Sequence, residues 1–330
     1  MKKVIALIVT ILVIILAVII GIKFKLHEEI IQLVSGVEYV DGMRVTLLGG
    51  SNQFDKGNLR SMGYIVRSRK GEVIFIDSGI ASDYESVKSY IDLYTDGNID
   101  HWIITHGHDD HVGAFLEVLN KDNITIENLY YNMLSEEWYK EHDERGYASE
   151  KAFLDALSNP KILNHVICKE GDKFIIDNIE MDVLRVANPE ITNGDNGNEA
   201  SLVFKLTATD VNKSMLFLAD AMSKASPEIL EAEDRLKADA VQLAHHGNWG
   251  VTEEVYKAIK PSVAFVNANK DLYENNRGEG YNTGNYTSII IRGWLENIGC
   301  KTFYKAYEGD QVVLFNSEGI NLIEEKEEKL

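Results

Sequence analysis

One short segment restricts this chain more than any other. Thr105-His106-Gly107-His108-Asp109-Asp110-His111 follows an apolar run, His101 to Thr105 (HWIIT), and leads into a helical period over Val112 to Asn120. A loop at the end of a buried strand is where side chains converge. His106 and His108 lie two apart, so on an extended strand end they face the same side. Asp110 and His111 follow at the turn into the helix and reach a second point nearby. Three imidazoles and a carboxylate within His106 to His111 form the N/O donor set that suits zinc, with iron or manganese as alternatives. With only 9 histidines in 330 residues, a solvated polar loop is a poor account of this spacing.

The second half supplies further donors. Met215 to Ala219 is an apolar strand ending in Asp220, a carboxylate placed either to bridge two ions or to cap a turn. Val241 to Ala244 leads into His245-His246-Gly247. Neighbours on a strand point in opposite directions, so one of the two histidines is expected as a metal ligand. The other is then free to donate to a substrate or leaving group.

Around these motifs the chain alternates between strand-like and helix-like segments. Arg44 to Leu48, Gly63 to Val66 and Glu72 to Ile76 read as strands, followed by helix at Ser82 to Tyr94 and a long helical signal across Ser135 to Leu157. Strands follow at Phe174 to Ile176, Met181 to Val186, Ser201 to Thr207 and Ser214 to Leu218. Strand and helix then alternate to a last strand at Gln311 to Phe315. Two strand groups, each followed by helices, predict an α/β αββα sandwich: two sheets face to face with helices outside. Composition agrees with a globular body, at 45% hydrophobic and 26% charged residues with only 4 prolines. Cys168 and Cys300 carry no motif and read as ordinary thiols.

THGHDDHVGA resembles the H-x-H-x-D-H signature of the metallo-β-lactamase superfamily. IFIDSG resembles its upstream strand-and-Asp motif, LFLADA its strand-end Asp, and AHHG its last ligand motif. Order and rough spacing match from about Arg44 to Phe315. AHHGN, with Asn198-Glu199-Ala200-Ser201-Leu202-Val203 upstream, is most similar to the branch holding the hydrolase domain of ComEC competence proteins and the bacterial phosphorylcholine esterases. The resemblance implies a metallo-β-lactamase fold and two divalent metal ions, zinc first, with manganese or iron as alternatives. It gives His106 and His108 to one ion and Asp110, His111 and His246 to the other, with Asp220 bridging. His246 is preferred over His245 because the last ligand of the superfamily often precedes Gly. Asp77 would hold the loop or a ligand. Asp110 and His245 are the implied catalytic residues, Asp110 orienting the attacking hydroxide and His245 donating to the leaving oxygen. The superfamily often has a third histidine for the first ion between the halves, but no matching motif is visible here, as in the ComEC-like branch, and Asn198 or Ser201 sits near that position. His142 and His165 lie in that interval, and His142, in the charged run EEWYKEHDERGY, reads as solvated.

Val4 to Ile22 is an uncharged apolar run that would span roughly 28 Å as a helix, close to a bilayer's hydrocarbon thickness. No small-residue cleavage site follows, so the expectation is an uncleaved single-pass anchor (residues 1–25) in the cell membrane. A stalk (26–43), a hydrolase domain (44–318) and a charged tail (319–330) complete the chain. Lysines on both sides nearly balance, and the short N-terminal tail places the body outside the cytoplasm. Lys2, Lys3, Lys23 and Lys25 are four of 33 basic residues, so the remainder carries 29 against 52 acidic, a net −23. Such a body repels polyanions, and Arg60, Arg67, Arg69 and Lys70 make only a modest basic cluster; nucleic acid is therefore a disfavoured partner. The expected substrate is a small-molecule or envelope-polymer phosphoester or phosphodiester. A ComEC-like single-strand nuclease, a β-lactam or lactone hydrolase, and a metal-containing binding module are the alternatives. Trp138, Tyr139, Tyr147, Tyr273, Tyr281 and Tyr286 sit in two long insertions. They read first as local core or caps, and second as a pocket for a quaternary ammonium group.

Overall fold

The computed structural model describes residues 40–49 and 61–323. The expected anchor and most of the expected stalk lie outside the described residues. No described helix is long and apolar enough to cross a membrane.

The first half of the chain builds one sheet. Its strands are β1 (Met43–Leu47), β2 (Gly63–Arg67), β3 (Val73–Asp77), β4 (Asn98–Ile104), β5 (Thr125–Tyr131) and β6 (Ile162–Ile167). Helices α1 (Tyr84–Tyr94), α2 (Asp109–Lys121), α3 (Glu136–His142) and α4 (Tyr147–Ala156) connect them. The second half contributes β7 (Lys173–Ile176), β8 (Ile179–Arg185), β9 (Val203–Ala208), β10 (Lys213–Phe217), β11 (Ala240–Gln242), β12 (Val263–Val266) and β13 (Thr302–Lys305), with α5 (Ser226–Leu230), α6 (Glu253–Ile259) and α7 (Ser288–Asn297). Finally β14 (Gln311–Asn316) and β15 (Gly319–Ile323) return to the first sheet, whose order is β15-β14-β1-β2-β3-β4-β5-β6. The other sheet runs β13-β12-β11-β10-β9-β8-β7.

Three apolar layers hold the sandwich. Val45, Tyr64, Phe204, Phe217, Phe265 and Phe315 pack between the sheets. There Phe204 stacks on Phe217, and Tyr64 meets the same ring edge-on at 5.2 Å. Val87, Ile91, Phe115 and Val118 press α1 and α2 onto Phe75 and Trp102 of the first sheet. Ile229, Val255, Tyr256, Ile291 and Leu295 cover the second sheet. The αββα expectation therefore matches the architecture.

Four local readings need correction. The helical signal across Ser135 to Leu157 is two helices, broken at Asp143 to Gly146. Strands β5, β6 and β13 carry no strand reading in the sequence. Gly319–Ile323, expected in the tail, pairs antiparallel with β14. The first strand begins at Met43, one residue before the expected domain start. Each sheet is part parallel: β3 to β6 in the first, β10 to β13 in the second. The carboxyl ends of these parallel strands face one shared edge, where α/β folds place their ligand sites.

Candidate metal centre

Every motif residue sits just past one of those strand ends. Asp77 ends β3, the histidine loop follows β4, Asp220 follows β10, and His245 and His246 follow β11. Asp77 organises the first group. Its Oδ1 accepts the Thr105 backbone N–H at 2.8 Å and its Oδ2 accepts the Thr105 hydroxyl at 2.7 Å. His111 Nδ1 lies 2.8 Å from the same Oδ2. A carboxylate only accepts, so that nitrogen carries the proton and His111 Nε2 is turned the other way, toward Asp220. His246 is fixed in the same manner. Its Nδ1 donates to the Asn267 carbonyl at 2.7 Å, and the Tyr64 hydroxyl donates to the Asn267 side chain.

The freed nitrogens converge with carboxylates. His246 Nε2 lies 3.1 Å from Asp110 Oδ2 and 3.2 Å from Asp220 Oδ2, and His111 Nε2 lies 3.3 Å from Asp220 Oδ1. Donor atoms of Asp110, His111, Asp220 and His246 all fall within 4.8 Å of one another. His111 Nε2, His246 Nε2 and Asp220 Oδ1 are nevertheless buried without a hydrogen-bond partner. Two ligands on one tetrahedral ion with bonds of about 2.1 Å stand about 3.4 Å apart. Buried donors at these spacings, close yet not hydrogen-bonded, fit a divalent cation between them. His106 is buried beside them with Nε2 likewise unpartnered, its ring 4.0 Å from that of His111.

Charge in the site follows the same geometry. Burial opposes a charge on His246, the Asp220 and Asp110 carboxylates favour it, and the balance lifts it to about 9. His111 is raised well above the usual imidazole range, burial again opposing while Asp220 and Asp77 prevail. Asp110 and Asp220 stay well below the carboxylate range: burial works against them, and the His246 and His111 imidazoles outweigh it. His106 has no such carboxylate contact, and burial with its neighbouring imidazoles pushes it well below its ordinary value. Without a cation the cluster holds protons, and a metal ion entering it displaces them.

The expectation that His245 and His246 point apart is not met. Both lie beyond the end of β11 in left-handed backbone, at φ 49° and φ 59°. Both rings consequently face Asp220, His245 Nε2 at 3.9 Å and His246 Nε2 at 3.2 Å. Asn198 Nδ2 stands 3.4 Å from His245 Nε2. His108 caps the start of α2 through its carbonyl, and its imidazole meets the α3–α4 segment. There Nε2 lies 2.8 Å from Asp143 Oδ2 and 3.7 Å from Glu150 Oε1. Gly107 permits this approach, since a Cβ there would stand 2.9 Å from Glu150 Cα.

Asp143 and Glu150 form a second donor group with His108 that no motif announces. A legible signal did exist, because Glu150 shares the buried face of α4 with Phe153, three residues on. His142 and His165 stay outside the site. The His142 ring packs on Trp138, and His165 is exposed on β6. Of the insertion aromatics, Tyr139 is buried in a small local core, Trp138 donates to the Pro189 carbonyl and Tyr281 is 63% exposed.

The family model for the metallo-beta-lactamase superfamily matches residues 57–186, which include the histidine loop. ComE operon protein 3 of Bacillus subtilis (strain 168) is 24% identical over 182 residues, 52% of this chain and 20% of that protein. The chain thus spans about a fifth of that relative's length. Among solved structures, the metallo-beta-lactamase fold protein YhfI from Bacillus subtilis aligns over 82% of this chain and 98% of its own, at TM-score 0.50 and 13% identity. Igni18, a novel metallo hydrolase from Ignicoccus hospitalis, aligns over 83% and 100% at TM-score 0.46, also with 13% identity. The family match, the shared two-sheet fold and the histidine–aspartate cluster together identify a metal-dependent hydrolase with the metallo-β-lactamase fold.

Proposed function

We propose that the chain is a membrane-anchored dinuclear hydrolase acting on phosphoester or phosphodiester bonds at the outer face of the cell membrane, held there by residues 4–22. The observation that carries this reading is the convergence of Asp110, His111, Asp220 and His246 with three of their donor atoms buried and unpartnered. His106 and His108 stand ready for a second ion. Bound divalent ions supply Lewis acidity and a nucleophile at neutral pH. The chain's own residues do the rest. Asp77 and Asn267 hold His111 and His246 in the tautomers that aim Nε2 inward. Asp110 orients the attacking oxygen, and His245, whose Nε2 faces Asp220 and accepts from the Asn198 amide, must first take up a proton before its imidazole can pass one to the leaving oxygen.

A second reading, a nuclease for single-stranded DNA, draws on the similarity to ComE operon protein 3. The charge of the body opposes it. So does the state of the basic cluster, where Arg67 covers Tyr94, Arg69 faces Asp41 and Asp210, and Lys70 pairs with Asp177. Strand-tracking grooves need such cations for phosphates.

The test is metal content of the purified full chain, with turnover of bis-(4-nitrophenyl) phosphate and of labelled single-stranded DNA before and after chelation. Chelator-sensitive phosphodiester turnover that disappears in Asp220→Ala and His111→Ala supports the proposal. Bound metal with no phosphoester turnover defeats it, and preferential DNA cleavage favours the second reading. Protease access to the body in intact cells checks the orientation of the anchor.

A further inference from the structure

We propose that the second divalent ion is held by His108 together with Asp143 and Glu150, the two carboxylates being supplied by the α3–α4 segment. The inference deepens the proposed function and rests on it for the presence of divalent ions.

Donor atoms of the three side chains lie within 4.8 Å of one another. Glu150 is 0% exposed and Asp143 5%, yet among the described residues their ion pairs run only to the single imidazole of His108. Both Glu150 oxygens are buried without any hydrogen-bond partner. Two buried carboxylates against one imidazole leave uncompensated negative charge, which a protein interior does not tolerate unless a proton or a cation joins them.

Two glycines keep a space open between these atoms. A Cβ on Gly146 would stand 2.3 Å from His108 Nε2 and 2.6 Å from Asp143 Oδ2. One on Gly197, from a separate segment, would stand 2.0 Å from Asp143 Oδ2, 2.3 Å from His108 Nε2 and 2.6 Å from Glu150 Oε1. Neither glycine has a positive φ, so the backbone does not demand glycine at either position. What both preserve is room among the donors. One imidazole nitrogen and as many as four carboxylate oxygens, with no thiolate, select a borderline-to-hard divalent ion such as Mn2+, Fe2+ or Zn2+. The rings of His108, His106 and His111 follow one another at 4.7 and 4.0 Å, so this ion would neighbour the one held by Asp110, His111, Asp220 and His246.

The experiment strips the full chain of metal, titrates it separately with Mn2+ and Zn2+, and counts ions after dialysis by plasma mass spectrometry. Manganese resonance spectra distinguish a coupled pair from an isolated ion. The wild type is expected to hold about two ions, as two-metal hydrolases do. Glu150→Gln removes a donor at constant shape, whereas Gly197→Ala fills the space and removes none. Each should lose one ion, or bind it at least about tenfold more weakly, and keep the other. Circular dichroism checks folding, and if one variant fails to fold the other decides. Retention of both ions at wild-type affinity in a folded variant overturns the inference while leaving the proposed function standing. Two ions without phosphoester turnover would do the reverse. A wild type that takes up no ion removes both.

Discussion

Replacing Asp77 with Asn separates metal binding from folding. The backbone at Asp77 sits at φ 51°, a left-handed conformation that Asn accepts more readily than most residues, so the exchange adds little strain. Three donors reach the Asp77 carboxylate: the Thr105 N–H, the Thr105 hydroxyl and His111 Nδ1. An amide oriented to keep the Thr105 N–H bond must aim its NH2 at His111 Nδ1. His111 then either faces a donor with a donor or shifts its proton to Nε2, the nitrogen directed at Asp220. A hydrogen bond to a charged group contributes about 1.5–3 kcal/mol, close to the 10–100-fold affinity loss that follows when a ligand's supporting carboxylate is removed. Folding of the metal-free chain should respond differently. Burial raises Asp77 above its ordinary carboxylate value, so the ionised side chain counts against the folded state as pH rises through that raised value. Neutral Asn relieves that cost at neutral pH but also takes a carboxylate partner from the charged His111 of the metal-free chain, so the two effects oppose one another. The expected result is metal affinity lowered about 10–100-fold in competition with a chromophoric chelator, with a metal-free stability loss clearly smaller than the loss of metal-binding free energy. Affinity within twofold of wild type would refute the tautomer argument. So would an affinity loss matched by an equal loss of metal-free stability.

His246→Ala should release metal from the cluster, because it removes a donor lying between Asp110 and Asp220; His245→Ala should retain metal and lose turnover, and equal metal loss in both would refute the division of roles. Gly113→Ala would place a Cβ 2.3 Å from the Ala81 nitrogen and 2.6 Å from the Ile80 carbonyl carbon, forcing α2 off the loop after β3. Urea unfolding should show a loss of about 1–3 kcal/mol, and an unchanged midpoint would mean that the loop yields freely. Gln242→Leu removes the side chain that accepts the Leu218 N–H and donates to the Ala219 carbonyl; the carbonyl keeps the His245 N–H, but the buried Leu218 N–H is left unpaired just before Asp220. Its thermal transition should fall by an amount corresponding to about 1–3 kcal/mol for that one orphaned group, and a smaller shift would argue that the strand end repacks.

The donors that were legible are those adjoining an apolar strand. HWIIT before His106 and MLFLA before Asp220 announce buried strands, and a charged or imidazole side chain at such an end has few structural reasons to be there. The missed edge strands lack that contrast. In β6 only Ile162 is buried, and in β15 no residue is, because both are sheet edges with nothing packed on one or both faces. Edge strands need no apolar pattern, so periodicity passes over them. The merged helix at Ser135 to Leu157 fails for another reason. Gly146 weakens helix without forbidding it, and the break is set by tertiary contact, as Asp143 Oδ1 accepts the Gly146 N–H and its Oδ2 meets His108. Asp143 and Glu150 escaped the motif reading because their partner is a histidine 35 residues or more away in sequence, and only the buried face that Glu150 shares with Phe153 hinted at one of them.

Backbone conformation is the deeper reason that pattern reading stops short of this site. Asp77, Ala219, His245 and His246 all adopt φ between 49° and 59°, a region costing non-glycine residues roughly 1–2 kcal/mol each. All four lie at or next to the ends of central strands, where the chain must turn sharply out of the sheet. The His245 N–H donates to the Ala219 carbonyl at 2.9 Å, so two of these turns hold one another. Neither residue propensity nor strand alternation anticipates such turns, since both describe the low-energy chain. Strain of this kind persists where surrounding structure over-determines it, and here the Gln242 brace and the Asn267 contact do so. Its consequence is chemical: an extended backbone would send the two adjacent imidazoles to opposite faces, whereas the left-handed turn brings both onto the single buried carboxylate of Asp220.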